Sequence, residues 1–200
     1  MAQARVKARP PRRASFLGGE RFAVFAECLL TGVWIAVACL GVVTYPAAFA
    51  AGARHLRRRT AHEGGGVREF VVDFRSALRG GWAVGVAGWA AAAAVWIDVQ
   101  AARAGLPGGP FVGAVGSFAL IGLAAALLRA AAVWTPGASW RALLAGAGRR
   151  TVLDPAGSFL VVCGLGVVAL SAAFIAPLAV PVLGAVAAAA VAVEERYRHR

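Results

Sequence analysis

This chain has little charge. Only 15% of its 200 residues are Asp, Glu, Lys or Arg, and the acidic ones number nine, whereas about a quarter of the residues of a soluble domain are charged. With 60% hydrophobic residues and a mean hydropathy of +0.71, the composition excludes a water-soluble globular domain and a wholly disordered chain. Cysteine is scarce as well. Cys28, Cys39 and Cys163 all fall inside apolar runs and form no CxxC pair, which excludes a disulfide framework and a zinc ribbon and leaves them as small hydrophobes. Catalytic signatures are missing: the chain has no GxSxG elbow and no Walker-type phosphate loop. His55, His62 and Glu63 stand at a spacing that matches no helical ligand pair. "GLGVVA" at 164–169 fits a relaxed dinucleotide pattern, but it lies in an apolar run with no preceding strand and no acidic residue about 20 positions on. The expectation is a non-enzyme with no catalytic residue, no cofactor and no metal.

What the chain does have is hydrophobic runs of membrane length. Stretches of about 18 or more apolar residues make bilayer-spanning helices; four such runs occur at 22–43, 82–101, 111–132 and 157–176, and a fifth, shortened by the prolines at 177 and 181, at 178–193. The fold class expected is therefore all-α, a polytopic transmembrane helical bundle of about five spans. A basic, Pro-rich tail at 1–21, expected to be disordered, precedes this domain of 22–193, and a basic tail at 194–200 follows it. A signal-peptide reading of the start is set aside, because the first run exceeds the usual 7 to 15 residues and everything after it is strongly apolar. Between runs, "VREFVVDFRSALRGG" places Val67, Phe70, Val71, Phe74 and Leu78 at helical spacing, an amphipathic helix for the interface. "WRALLAG", with Trp140, Leu143 and Leu144, offers a second. The order span, basic amphipathic helix, span occurs twice, although any basic loop between membrane helices tends to this pattern.

The excess of positive charge, +12, lies at the ends of the runs. It indicates anionic lipid head groups and a cytoplasmic side rather than nucleic acid. Arg54, Arg57, Arg58 and Arg59 are expected as an interfacial cluster on a short alanine-rich helix that restarts after Tyr45-Pro46. Five full spans place these arginines inside but leave Arg5, Lys7, Arg9, Arg12, Arg13 and Arg21 on the opposite side, against the positive-inside rule. A re-entrant or hairpin pair at 22–53 is the alternative that removes this conflict. Glu27, Asp98 and Arg129 lie in or near spans, and their nearness to span ends suggests that they reach water or head groups. Small residues at Gly81, Gly85, Gly113 and Gly116 are the candidates for close helix packing.

Several of these letters recur together. Leu29, Leu30 and Trp34 lead through Gly41 to the Pro46-Ala47 step, and Phe70, Phe74 and Arg75 introduce the second span. In this arrangement the chain resembles the YesL-like family of small bacterial integral membrane proteins, a family without an assigned activity. The likeness covers roughly residues 15–195, with its specific part at about 22–82, and Thr31 stands where many members carry asparagine. The resemblance implies a bacterial inner-membrane protein and an accessory role beside carbohydrate-uptake ABC transporters. A transporter permease is the partner that this suggests; the glycine-bearing helix faces would equally suit a second copy, and the charge pattern gives the bilayer as a partner, with no nucleic acid. A self-contained small transporter or channel, using the Pro46 break as its gate, is the other function considered.

Overall fold

The computed structural model describes residues 13–105 and 107–199. Its seven α-helices are α1 (Arg13–Ala38), α2 (Tyr45–Thr60), α3 (Val67–Arg103), α4 (Gly109–Val133), α5 (Trp140–Leu153), α6 (Pro155–Phe174) and α7 (Ala176–Arg198), with one turn of 3-10 helix at Cys39–Gly41. Four of them, α3, α4, α6 and α7, are long and apolar enough to cross a membrane, and Phe25–Gly41 adds a shorter apolar stretch. The chain is an all-α, multi-pass membrane protein, consistent with about five spans. Large apolar side chains face outward, among them Phe25, Leu40, Phe118, Phe159 and Phe174, as a hydrocarbon solvent requires. The tail at 1–12 lies outside the described residues, whereas 13–21, expected to be disordered, form the first turns of α1. Nothing after Pro11 in the sequence interrupts the helical backbone ladder before the apolar run.

The centre of the bundle is α2, and this corrects the expectation of an interfacial helix. It packs against α1, α3, α4 and α7, and Ala47, Ala48, Ala50 and Ala51 have no exposed surface. Its small side chains explain the position: alanine and glycine let four neighbours approach one backbone. A Cβ on Gly52 would come within 2.5 Å of Ile35 of α1. Because Gly52 meets Ile35 and His55 meets Glu27, α2 runs antiparallel to α1, and the pair goes in and comes back.

The turn of this hairpin lies within the bundle's depth. Tyr45 abuts Gly88, about 22 Å of helix short of the end of α3 at Arg103, and Pro46 faces Leu128 of α4 and Leu165 of α6 across an 80 Å³ void. Irregular backbone at such depth needs partners from the protein. They are present: the Trp89 indole donates to the Val42 carbonyl at 3.0 Å, and the Thr44 hydroxyl donates to the Ala38 carbonyl at 2.5 Å. Val42 sits at φ +57, a strained setting for a β-branched residue. The first run therefore ends its α-helix at Ala38, earlier than the expected 43. Since α1 starts at the same end as Arg54–Arg59, Arg13 and Arg21 come to the side of that cluster, whereas Arg5, Lys7, Arg9 and Arg12 lie outside the described residues.

Helix α3 combines the expected amphipathic helix and second span, joined at a kink where Arg79 (ψ +93) and Gly80 (φ +97) leave the helical region. The kink frees the Ala77 carbonyl, which the Trp140 indole of α5 takes up at 3.0 Å. Of the four glycines expected at close contacts, Gly81 lies against the Trp140 ring. Gly85 is tightest, its hypothetical Cβ falling 1.9 Å from the Val43 carbonyl oxygen, while Gly116 meets Val95 at 3.3 Å and Gly113 makes only ordinary contacts, none nearer than 3.8 Å. These contacts lie within the chain. Gly85→Ala should lower stability by at least about 1–3 kcal/mol through overpacking, while Gly122→Ala, with nothing within 4 Å, should leave it unchanged. Thermal unfolding in mild detergent separates the two; equal melting temperatures would contradict the packing of the hairpin turn on α3.

Candidate functional site: three ion clusters at one end of the bundle

The last two turns of α2 read Arg54-His55-Leu56-Arg57-Arg58-Arg59. Helical spacing sorts them into pairs four apart, Arg54 with Arg58 and His55 with Arg59, aimed at different neighbours. Arg54 Nε lies 3.3 Å and Arg58 Nη1 2.9 Å from Oδ2 of Asp73 in α3, whose side chain is buried. On the other side, His55 Nε2 and Arg59 Nε both lie 2.8 Å from Oε1 of Glu27 in α1. Arg57 donates to the Trp134 carbonyl at the end of α4. Three neighbouring helices are thus tied to one helix end, whose carbonyl dipoles favour cations. The expected interfacial cluster is paired in part within the bundle, and three of its four arginines share two carboxylates.

His55, which is buried, packs against Trp34, one of the letters that carry the resemblance. Trp34 meets it edge-on at 4.9 Å between ring centroids and meets Phe70 at 5.4 Å, and Phe70 stacks on Phe74 at 6.5 Å. Pro46 and Ala47 are buried in the bundle, Leu29 is half-buried, Gly41 packs on Thr44, and Leu30 and Arg75 face outward. Nδ1 of His55 is buried without a hydrogen-bond partner. His62 and Glu63 lie in the connection after α2 and are exposed. At the head of α3, Glu69 accepts from the Gly66 backbone N–H at 2.9 Å. Hydrogen bonds from its own and the Gly66 N–H hold its carboxyl below the usual range.

The third cluster joins α4, α5, α6 and α7 around Arg129, which has no exposed surface. Its Nε donates to Glu194 Oε1 at 2.6 Å, one Nη to the Ser158 hydroxyl at 3.0 Å and to the Arg150 and Asp154 carbonyls, and the other to Asp154 Oδ2 at 3.4 Å. Arg150 also pairs with Glu194 at 2.9 Å and Arg196 with Asp154 at 3.8 Å. The Tyr197 ring stands 5.7 Å from the Arg129 guanidinium carbon, a cation–π distance. Asp154 accepts from the Gly157 N–H as the N-cap of α6. A side chain expected to reach water or head groups is instead sealed and satisfied. Glu27 too is only about one-fifth exposed and paired, whereas Asp98, half-buried, stands toward the opposite end with Arg103.

No family model, curated protein or solved structure matches the chain. Among the described residues no three His, Cys, Asp or Glu gather as metal ligands. Sequence reasoning missed Asp73, Asp154 and Glu194 as the anions of these clusters. The available signal was their scarcity: with nine acidic residues in an apolar chain, each one beside a span has arginines to answer.

Removing one partner of a buried pair leaves an uncompensated charge. Arg129→Met should therefore destabilise the fold by about 3–5 kcal/mol. Arg129→Lys should recover little of this, because one ammonium cannot replace the forked guanidinium. Combined with Glu194→Gln, the loss should be less than additive, by about 0.5–3 kcal/mol. Denaturant titration in micelles of the wild type, Arg129→Met, Arg129→Lys, Glu194→Gln and the double variant Arg129→Met with Glu194→Gln measures this; strict additivity would refute the pairing.

Proposed function

We propose that this protein is a non-enzymatic accessory component of a bacterial inner membrane, linked to carbohydrate uptake and acting by holding a transporter permease or a second copy of itself. The observation that carries this reading is where the polar groups go. Inside the bundle they collect at one end and are committed to one another, and among the described residues Asp98 and Arg103 are the charges of the other end. Such an arrangement supports a rigid holding element better than a polar path through the bundle. The basic end is assigned to the cytoplasm on the positive-inside rule, and its cations suit anionic lipid, without need of nucleic acid. The link to carbohydrate ABC transport comes from the resemblance of residues 22–82.

With Gly81 and Gly85 spent inside the chain, the surfaces left for close approach by another membrane helix include Gly122 of α4 and Gly166 of α6, each with nothing within 4 Å. The tagged protein purified from native membranes in mild detergent should bring a sugar-transporter permease with it, against an unrelated tagged membrane protein as control. Gly122→Leu combined with Gly166→Leu should abolish this without lowering the melting temperature. Recovery of the protein alone and as a monomer would sink the reading.

One observation favours a second reading, a self-contained small transporter or channel: the α1–α2 turn, at bundle depth, is the kind of broken element that lines transporter sites. Its carbonyls are, however, taken by Trp89 and Thr44. That reading requires solute flux into liposomes containing the purified protein alone.

A further inference from the structure

The kink in α3 opens a cavity of about 730 Å³ between α3, α4 and α5, within the roughly 300–1,000 Å³ of small-molecule sites. Its walls are apolar, formed by Ala83 and Ala87 of α3 and Leu123 and Leu127 of α4. It extends from Gly80 down to Gly88, about 12 Å of helix, and opens sideways, since Ala83, Ala87 and Leu123 are exposed. Two arginines also line it, Arg79 at the kink and Arg141 in the first turn of α5. Both are exposed. Among the described residues neither has an ion pair or side-chain hydrogen bond, in contrast to Arg54, Arg57, Arg58, Arg59, Arg129 and Arg150.

We propose that this cavity binds one anionic phospholipid of the adjoining leaflet, its phosphate on Arg79 and Arg141 and one acyl chain in the slot between α3 and α4. The charge complementarity is directional: cations stand at the level of the ion clusters, where head groups lie, and apolar walls run from there into the bundle. A guanidinium offers a phosphate two parallel hydrogen bonds, and the sideways opening admits a chain from the bilayer without passage through water. A soluble anion would use the arginines but leave the apolar slot unfilled; a neutral apolar molecule would leave the arginines unanswered. The kink itself makes the slot, because Trp140, docked on Ala77 and Gly81, wedges α5 away from the lower part of α3.

The test is native mass spectrometry of the protein released from nanodiscs of equimolar phosphatidylglycerol and phosphatidylcholine with matched acyl chains. The wild-type protein should retain one phosphatidylglycerol in at least about tenfold preference, the ratio expected for about 1.4 kcal/mol of head-group discrimination. Arg79→Gln with Arg141→Gln should remove the preference while leaving the melting temperature unchanged, since neither side chain is paired. Ala87→Phe, which fills the slot, should prevent retention of both lipids. Arg149→Gln, an exposed cation outside the cavity, should change nothing. Equal retention of the two lipids by the wild type, or persistent phosphatidylglycerol on the double arginine variant or on Ala87→Phe, would overturn the proposal. So would displacement of the lipid by inorganic phosphate alone, which would mark a site for a free anion rather than for a lipid.

Discussion

A helix that ends in four arginines and a histidine within six residues can be the central helix of a membrane bundle only if its charges are matched where it emerges. Helix α2 meets that condition with an asymmetric design. Its first half is mostly alanine and glycine, with Tyr45 and Phe49 packed among the neighbours, so that α1, α3, α4 and α7 close on it; its last two turns carry long cations that reach outward to Asp73, Glu27 and the Trp134 carbonyl. Burial of the small half brings the neighbours near, and their nearness puts the anions within reach of the large half. Neither feature is stable alone: a cation without its carboxylate at that position faces the desolvation cost of a low-dielectric interior.

The rest of the architecture follows from giving α2 this place. A helix of 16 residues, about 24 Å long, whose charged end must lie with the other charged ends, has its start inside the bundle. The connection from α1 therefore turns at depth, and the backbone groups it exposes have to be answered locally. Trp89 and Thr44 do so, and the positive φ of Val42 is the conformational strain that remains. Gly85 is glycine for the same reason, since the Val43 carbonyl occupies the space of a Cβ. The in-and-back hairpin also places the start of α1 beside the end of α7, so that the basic ends of the chain come to one face.

The sequence displayed the solvent of this protein better than its interior. Run length and charge scarcity identified the membrane helices, and the period of Val67, Phe70, Phe74 and Leu78 marked the amphipathic first part of α3, although not its continuity with the second span through the kink at Arg79 and Gly80. The family-like letters Trp34, Phe70 and Phe74 were visible as a pattern, but His55, which meets Trp34 edge-on, was not, because a histidine flanked by arginines reads as part of a surface charge run. The central position of α2 was illegible for a related reason. An alanine-rich segment has little hydropathy of its own, and only the fit of four helices around it shows that smallness, rather than apolarity, is its qualification. Arg129 was misjudged through distance to the helix end: it lies near the end of α4, but α5, α6 and α7 close over it and supply Ser158, Asp154 and Glu194.

The arithmetic of the clusters explains why one end remains basic after so much pairing. Asp73 answers two arginines, Glu27 answers an arginine and a histidine, and Asp154 with Glu194 answers Arg129, Arg150 and Arg196. Each carboxylate is shared, so that every acidic group is held from several sides and the clusters around Asp73 and Arg129 each keep a surplus positive charge. Exact neutrality would satisfy the interior equally well. A surplus makes the end of the bundle attractive to an anionic leaflet, with attraction that decays over a Debye length of about 8–10 Å. Under the proposed orientation the same residues do two jobs separated by depth: their inner pairs close the bundle, and their uncompensated remainder, joined by unpaired arginines such as Arg79 and Arg141, meets the anionic leaflet.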